Sequence, residues 1–248
     1  MSEKKRGILY RAAVGIVHLF YRKPAFYGSE NIPEEPCVFV GNHTQMNGPI
    51  IAELYMPGEC RTWCVGQMTQ KNEFPDYAFQ DFWSKKPAWI KPFFRVCSYL
   101  LAPIAATVFK SAKIIPVYRD QRILATFKST VKELQEEKSI IIFPEQEIEH
   151  NNIVYEFQNR FIDVAKLYYR KTGLKLKFVP MYICPAFKSV YFCAPVEFNP
   201  EAPIESERER ISGLLMDEIS EKAFSLPEHT VIPYPNIGRK SYKKNTRN

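Results

Sequence analysis

The side chains best equipped for chemistry in this sequence stand at the ends of apolar runs. His43 follows Val38-Phe39-Val40-Gly41-Asn42 and leads through Thr44-Gln45-Met46-Asn47-Gly48 to Pro49, at the mouth of a helical pattern. This reads as a buried strand delivering an imidazole to a strand-to-helix turn, where a group that titrates near neutrality can take or give a proton. A lone histidine at such a turn is more often a hydrogen-bonded structural residue. Arg119 closes a second run, Lys113-Ile114-Ile115-Pro116-Val117-Tyr118, and is followed by Asp120. Its planar guanidinium matches the oxygens of a phosphate, while pairing with Asp120 or Glu145 is the plainer role. Glu145 and Gln146 follow a third run, Ile140-Ile141-Ile142-Phe143-Pro144. The fourth, Lys177-Phe178-Val179-Pro180-Met181-Tyr182-Ile183, is apolar almost throughout.

In order and spacing these four stretches resemble the blocks of the glycerolipid acyltransferase family: Asn-His-x4-Asp, a strand ending in Pro-Val-x-Arg, Phe-Pro-Glu-Gly, and an apolar Val-Pro strand. The resemblance covers residues 26 to 200. It implies transfer of a fatty acyl group from an acyl-CoA or acyl carrier protein thioester to 1-acylglycerol 3-phosphate or a related acceptor, with no cofactor beyond that co-substrate. His43 would be the base that takes the hydroxyl proton, Arg119 would hold the acceptor's phosphate, and Glu145 with Gln146 would shape the acceptor site. Two positions depart from the pattern. Gly48 stands where the family has aspartate, and Gln146 stands where it has glycine. In a serine-protease triad, exchanging the carboxylate that orients the imidazole for an amide costs about 10⁴ in rate. Asn47, four residues after His43, offers a substitute: on a helical turn its side-chain oxygen would accept a hydrogen bond from the ring. Glu145 or Glu147 could supply the carboxylate instead. The alternative is a member of the same family that has lost catalysis and binds lipid or a partner.

The elements that must position these groups follow from periodicity. Strand, helix and strand over residues 38–67 make a first βαβ unit, and apolar residues Ile123, Leu124, Phe127, Val131 and Leu134 repeat at helical spacing after Arg119. Phe157, Phe161, Val164, Ala165 and Tyr168 mark another helix that stops at Gly173. Residues 147–152 read as a polar loop, 175–183 and 190–198 as closing strands, and 205–225 as a last helix with Ile211, Leu214, Leu215 and Ile219 inward. The expected architecture is a single α/β domain with a mixed, largely parallel sheet and flanking helices over residues 26–226. An N-terminal amphipathic helix over 1–25 precedes it, and a basic disordered tail over 227–248 follows.

The N-terminal helix carries Lys4, Arg11, His18 and Arg22 as one basic stripe, with Ile8, Leu9, Ile16, Leu19 and Phe20 around the rest. It has the charge and apolar length of a secretory signal, but no small-residue cleavage site follows. Such a helix lies on anionic lipid or caps the domain core. Residues 68–109 are dense in aromatics beside Lys85, Lys86 and Lys91. They suit a membrane interface, an acyl-chain channel or a buried helical hairpin, and the apolar part, 93–109 with a break at Pro103, is short for a bilayer span.

Composition narrows the classes. The 248 residues are 46% apolar and 14% aromatic, enough for one domain with a sizeable core. A net charge of +7, from 34 basic against 27 acidic residues, suits an anionic partner. A nucleic acid would explain the charge but not the His43, Arg119 and Glu145 blocks, so the expected partner is an anionic membrane surface on the cytoplasmic side of the cell membrane. Six scattered cysteines read as reduced, packed thiols, and Cys60 and Cys64 lack the second pair a structural zinc needs, so no metal is expected. Gly-x-Ser-x-Gly elbows, phosphate-binding loops and dinucleotide fingerprints are missing from the sequence.

Overall fold

The computed structural model describes residues 7–84, 86–112, 114–118 and 120–247. Arg119, Lys85 and Lys4 lie outside them. In chain order the elements are α1 (Ile8–Phe20), β1 (Ala25–Tyr27), β2 (Val38–Gly41), α2 (Asn47–Leu54), β3 (Cys60–Val65), α3 (Phe74–Ala78), α4 (Lys91–Ser111), β4 (Ile114–Val117) and α5 (Ile123–Gln135). Then come β5 (Ser139–Ile142), β6 (Glu145–Glu149), β7 (Tyr155–Phe157), α6 (Asp163–Thr172), β8 (Lys177–Cys184), β9 (Ser189–Phe192), β10 (Val196–Glu197) and α7 (Ile204–Phe224). They form two compact units: Met1–Arg22 with Trp63–Thr126, and Lys23–Thr62 with Phe127–Asn248.

The second unit holds a mixed, largely parallel sheet in the order β1-β9-β8-β2-β5-β3, with β10 along the start of β8. β2 runs parallel to both β5 and β8, β3 parallel to β5, and β9 antiparallel to β8. β2 is buried at every residue and β8 at all but its first, which is why their sequences are continuous apolar runs rather than alternating ones. Phe39, Ile141, Val179 and Met181 pack with Ile51 and Ala52 of α2 on one face. The expected first βαβ unit forms, but β5 inserts between its two strands.

Three expectations for this unit are corrected. Residues 145–149, expected as a polar loop from 147, form strand β6, which pairs antiparallel with β7. The chain reverses there because Asn151 Oδ1 accepts the N–H groups of Ile153 and Val154. Leu214 faces solvent while Ile211, Leu215 and Ile219 are buried. The third correction is the tail. Residues 227–247 are not disordered: Thr230 bridges Lys244, Val231 N–H donates to Lys243 O, and Asn245 N–H donates to His229 O. The anchors are buried polar groups. Asn245 Nδ2 donates to the carbonyls of Ala223 and Leu226 at the end of α7, and its Oδ1 accepts His229 N–H at 2.7 Å. His229 Nδ1 donates to Pro227 O, and Nε2 shares a 2.7 Å hydrogen bond with the Tyr182 hydroxyl.

In the first unit α4 is 21 residues long, about 31 Å at 1.5 Å per residue, and runs through Pro103. The sequence reading of 93–109 was shorter, and Ala88–Ser111 is long and apolar enough to cross a membrane by length and composition. Its buried stripe is small, Ser98, Ala102 and Ala106 at four-residue steps. Its exposed side carries Phe93, Val96, Leu100, Leu101 and Ile104. α1 packs in the same unit with Tyr10 buried and Ile8, Leu9, Ile16, Leu19 and Phe20 exposed.

Asn245→Ala is expected to strand a buried N–H and two carbonyls, costing about 1–3 kcal/mol. In a chain of this size that lowers Tm by several degrees, and proteolysis should cut within 227–247 first. An unchanged melting curve would show that these bonds do not anchor the segment.

Candidate active site

The site is built where β2 ends. Asn42 is 2% exposed, and its side chain clasps Ile183 of β8 from both directions: Nδ2 donates to Ile183 O at 3.0 Å, and Oδ1 accepts Ile183 N–H at 2.7 Å. This carries the β2–β8 ladder one residue past Gly41 and fixes where His43 leaves the sheet. The backbone then turns sharply, with Thr44 at φ 46° and Gln45 at φ 54°. Side-chain-bearing residues enter this left-handed region at a cost, and two in succession beside the candidate base mark a strained turn held by its surroundings.

Glu145 supplies much of that hold. The residue is 4% exposed; Oε2 accepts the His43 backbone N–H at 2.5 Å and Oε1 accepts the Tyr155 N–H at 2.9 Å. Burial pushes its carboxyl up to about 7, against the pull of those two N–H donors. The sequence reading gave Glu145 to the acceptor site. Its oxygens are instead committed to the backbone on either side, so it is a positioning residue. Gln146, the other expected acceptor-site residue, stands half-buried in β6.

The imidazole itself is half-buried. The rings of Phe143 and Tyr234 stand steeply tilted to it, with centroids 5.4 Å and 5.6 Å away. Nδ1 is fully enclosed and has no hydrogen-bond partner among the described residues. Burial pulls the ring down to about 4, with the nearby Gln45 backbone pulling weakly the other way. His43 is therefore uncharged at neutral pH, as a base must be before it accepts a proton.

The expectation that Asn47 holds the ring is corrected. Its Nδ2 donates to Thr44 O at 2.9 Å, closing the turn on itself. The reasoning from four-residue spacing assumed helical backbone from 43 to 47, and the left-handed pair at 44 and 45 breaks it. Gly48 has a physical reason of its own. Gly48 N–H donates to His43 O, and a Cβ at position 48 would lie 2.5 Å from that same oxygen and 3.0 Å from Phe143 Cε1. This turn has no room for the family's aspartate. Glu147 is not close enough to Nδ1 to bond it either, since that atom is unpartnered. Arg119 lies outside the described residues, so its expected place receives no geometry.

Sequence reasoning missed Asn42, Gln45, Phe143 and Tyr234. Asn42 was signalled by its place beside His43 in the first block. Tyr234 had no signal, because it reaches the site from a segment without periodicity.

Gly48→Asp, which completes the first block of the resemblance in sequence, is expected to lower Tm by several degrees, because overpacking of this kind costs about 1–3 kcal/mol, and to leave any acyl-transfer rate no higher. A stable, faster variant would contradict the turn geometry. His43 should stay uncharged far below the usual midpoint. Folding favours its neutral form, so its contribution to stability is complete above about pH 6.5 and is lost as pH falls toward 4. Proton NMR of the imidazole ring, with His43→Ala identifying the resonance among the four histidines, reads this directly.

No protein-family model matches the chain, and no curated protein matches it. Among solved structures it is similar to the 1-acyl-sn-glycerophosphate acyltransferase PlsC from Thermotoga maritima, over 86% of this chain and 76% of that one, at 17% sequence identity and a TM-score of 0.45.

Proposed function

We propose that the chain is a membrane-associated O-acyltransferase of the glycerolipid type, moving a fatty acyl group from an acyl-CoA or acyl carrier protein thioester to 1-acylglycerol 3-phosphate or a related lysophospholipid-type acceptor. One observation carries this reading. The first and third blocks of the resemblance, 102 residues apart, meet directly, with Glu145 holding the backbone N–H of His43 at 2.5 Å. A buried carboxylate that ties a histidine-bearing turn to a neighbouring ribbon is an arrangement that a merely structural histidine does not require.

The chemistry is an attack of the acceptor hydroxyl oxygen on the thioester carbonyl carbon. His43, uncharged, takes the hydroxyl proton as the new C–O bond forms. The tetrahedral intermediate then expels the thiolate by breaking the C–S bond, and the imidazolium returns the proton to that sulfur. Without a carboxylate on Nδ1, the imidazolium formed midway is less stabilised than in the family pattern, and a slower enzyme follows. Arg119 is proposed to hold the acceptor's phosphate, on the strength of its block alone.

Membrane association rests on the first unit. There α4 turns its small residues inward and Phe93, Val96, Leu100 and Ile104 outward, while α1 exposes Ile8, Ile16, Leu19 and Phe20. Contiguous exposed apolar surface of this kind marks an interaction site, and the excess of basic residues fits an anionic bilayer on the cytoplasmic side.

A second reading draws on a specific observation. The unpartnered Nδ1 and the lack of space at Gly48 are also what a family member that has lost catalysis would show.

Thiol release from acyl-CoA and from acyl carrier protein, across a panel of hydroxyl acceptors, separates the two. Acceptor-dependent release falling by about 10²–10⁴ in His43→Ala is the expected result. No release with any acceptor from folded, lipid-binding protein would favour the non-catalytic reading. Sedimentation with anionic vesicles tests the surface: Phe93→Asp with Leu100→Asp should weaken binding by at least about tenfold, since each buried apolar side chain contributes roughly 1.5–3 kcal/mol. Preferential binding to a duplex oligonucleotide would sink the membrane claim.

A further inference from the structure

The segment 229–245 is a loop with a closed neck. Residues 229–231 pair with 243–245 through Val231 N–H to Lys243 O and Asn245 N–H to His229 O, both near 3 Å. The stretch 232–242 between them has the size of the compact surface loops that often carry function, roughly 6–16 residues. It is internally organised: Ile237 N–H donates to Pro235 O, Ser241 N–H to Gly238 O, and Tyr242 N–H to Arg239 O. Bonded within itself and paired at its neck, it is a body of its own on the surface of the unit.

Its inner side rests on the candidate base. Tyr234 stands edge-on to His43 and 6.2 Å from the ring of Tyr155. Gln45 joins the loop to the His43 turn, its Nε2 donating to Pro235 O at 3.1 Å and to Tyr242 Oη at 3.0 Å. The residue that makes these bonds is one of the two in the His43 turn held at positive φ. Its strained backbone points the amide at the loop, and the loop's acceptors help hold the strain in place.

The two walls of the imidazole differ in kind. Phe143 directly follows β5, a central strand of the sheet, so it is fixed. Tyr234 belongs to the loop, and can leave with it. A hydroxyl that gives its proton to His43 must bring its oxygen within about 2.6–3.2 Å of a ring nitrogen. Nδ1 is enclosed, and Tyr234 stands beside the half-buried ring, so the loop bounds the approach to the nitrogen that remains.

We propose that loop 232–242 is a lid over His43, latched by Gln45 and faced by Tyr234, and that it lifts to admit the acceptor. The assignment of the incoming group as an acceptor hydroxyl rests on the acyltransferase reading; the lid and its latch do not. Gln45 and Tyr234 are then positioning and access residues, selecting acceptors by what the raised loop can close upon.

The test is chemical labelling of His43 by diethyl pyrocarbonate at pH 7, followed peptide by peptide, in full-length protein with no acyl donor or acceptor present. Wild-type His43 should label far more slowly than an exposed histidine. Gln45→Ala removes the latch, and Tyr234→Ala removes the wall; each should accelerate labelling by about tenfold, the effect of one to two lost hydrogen bonds or an equivalent ring contact. Tyr242→Phe deletes a single hydroxyl and keeps the fold, so it should give a smaller acceleration in the same direction even if a larger change unfolds the chain. Fast labelling in the wild type, or equal rates in wild type and all three variants, overturns the lid. Because labelling needs no turnover, accelerated labelling without acyl transfer would retain the lid and remove the acyltransferase reading, while His43-dependent transfer with unchanged labelling would do the reverse.

Discussion

A single buried carboxylate organises this molecule's candidate site. Glu145 accepts one backbone N–H from the turn after β2 and another from β7, so it joins the end of a central strand to a small two-stranded ribbon. Burying a carboxylate is costly unless its oxygens are satisfied, and here two otherwise orphaned donors satisfy them. The cost and the compensation are local, which makes the turn at His43 a place where the chain has little freedom to do otherwise. Folding favours the protonated acid, whose contribution is full below pH 4.5 and declines as pH rises through about 7. The hold on the His43 turn is therefore sensitive to acidity around neutral pH.

Around that clamp the departures from the family pattern become coherent. Gly48 is required because the carbonyl of His43 folds back over it, and Asn47 is used up in closing the same turn. Glycine at position 48 and the left-handed pair at Thr44 and Gln45 belong to one turn geometry. What the turn gains is a glutamine aimed at the loop from the far end of the chain, and an imidazole enclosed by aromatic edges instead of paired with a carboxylate.

The strands were legible because burial on both faces writes itself as unbroken apolar sequence, as in Val38–Val40, Ile140–Ile142 and Phe178–Ile183. Their spatial order was not, since nothing in a run of isoleucines says that β5 lies between β2 and β3. The histidine and its glutamate could be found by order and spacing, but the glutamate's task could not, because backbone N–H groups leave no trace in composition. Asn47 misled for a definable reason: helical spacing was applied across residues that are not helical. The segment beyond Pro227 looked disordered because hydrophobic periodicity is the signal for order, and this segment is tied by an asparagine, a histidine and a glutamine. Pro103 looked like a break, yet α4 passes through it.

The loop that covers Gln45 lies 190 residues downstream of it. A ribosome adds about 5–20 residues per second, so some 10 to 40 seconds separate the synthesis of the histidine turn from that of its cover. For roughly the first half of that interval β2 lacks β5 and the turn lacks the carboxylate that aims it, and β8 is made later still. The chain therefore cannot present a finished proton-transfer site while it is being made. The groups that meet at His43 come together by long-range closure, across separations of 102 and 190 residues.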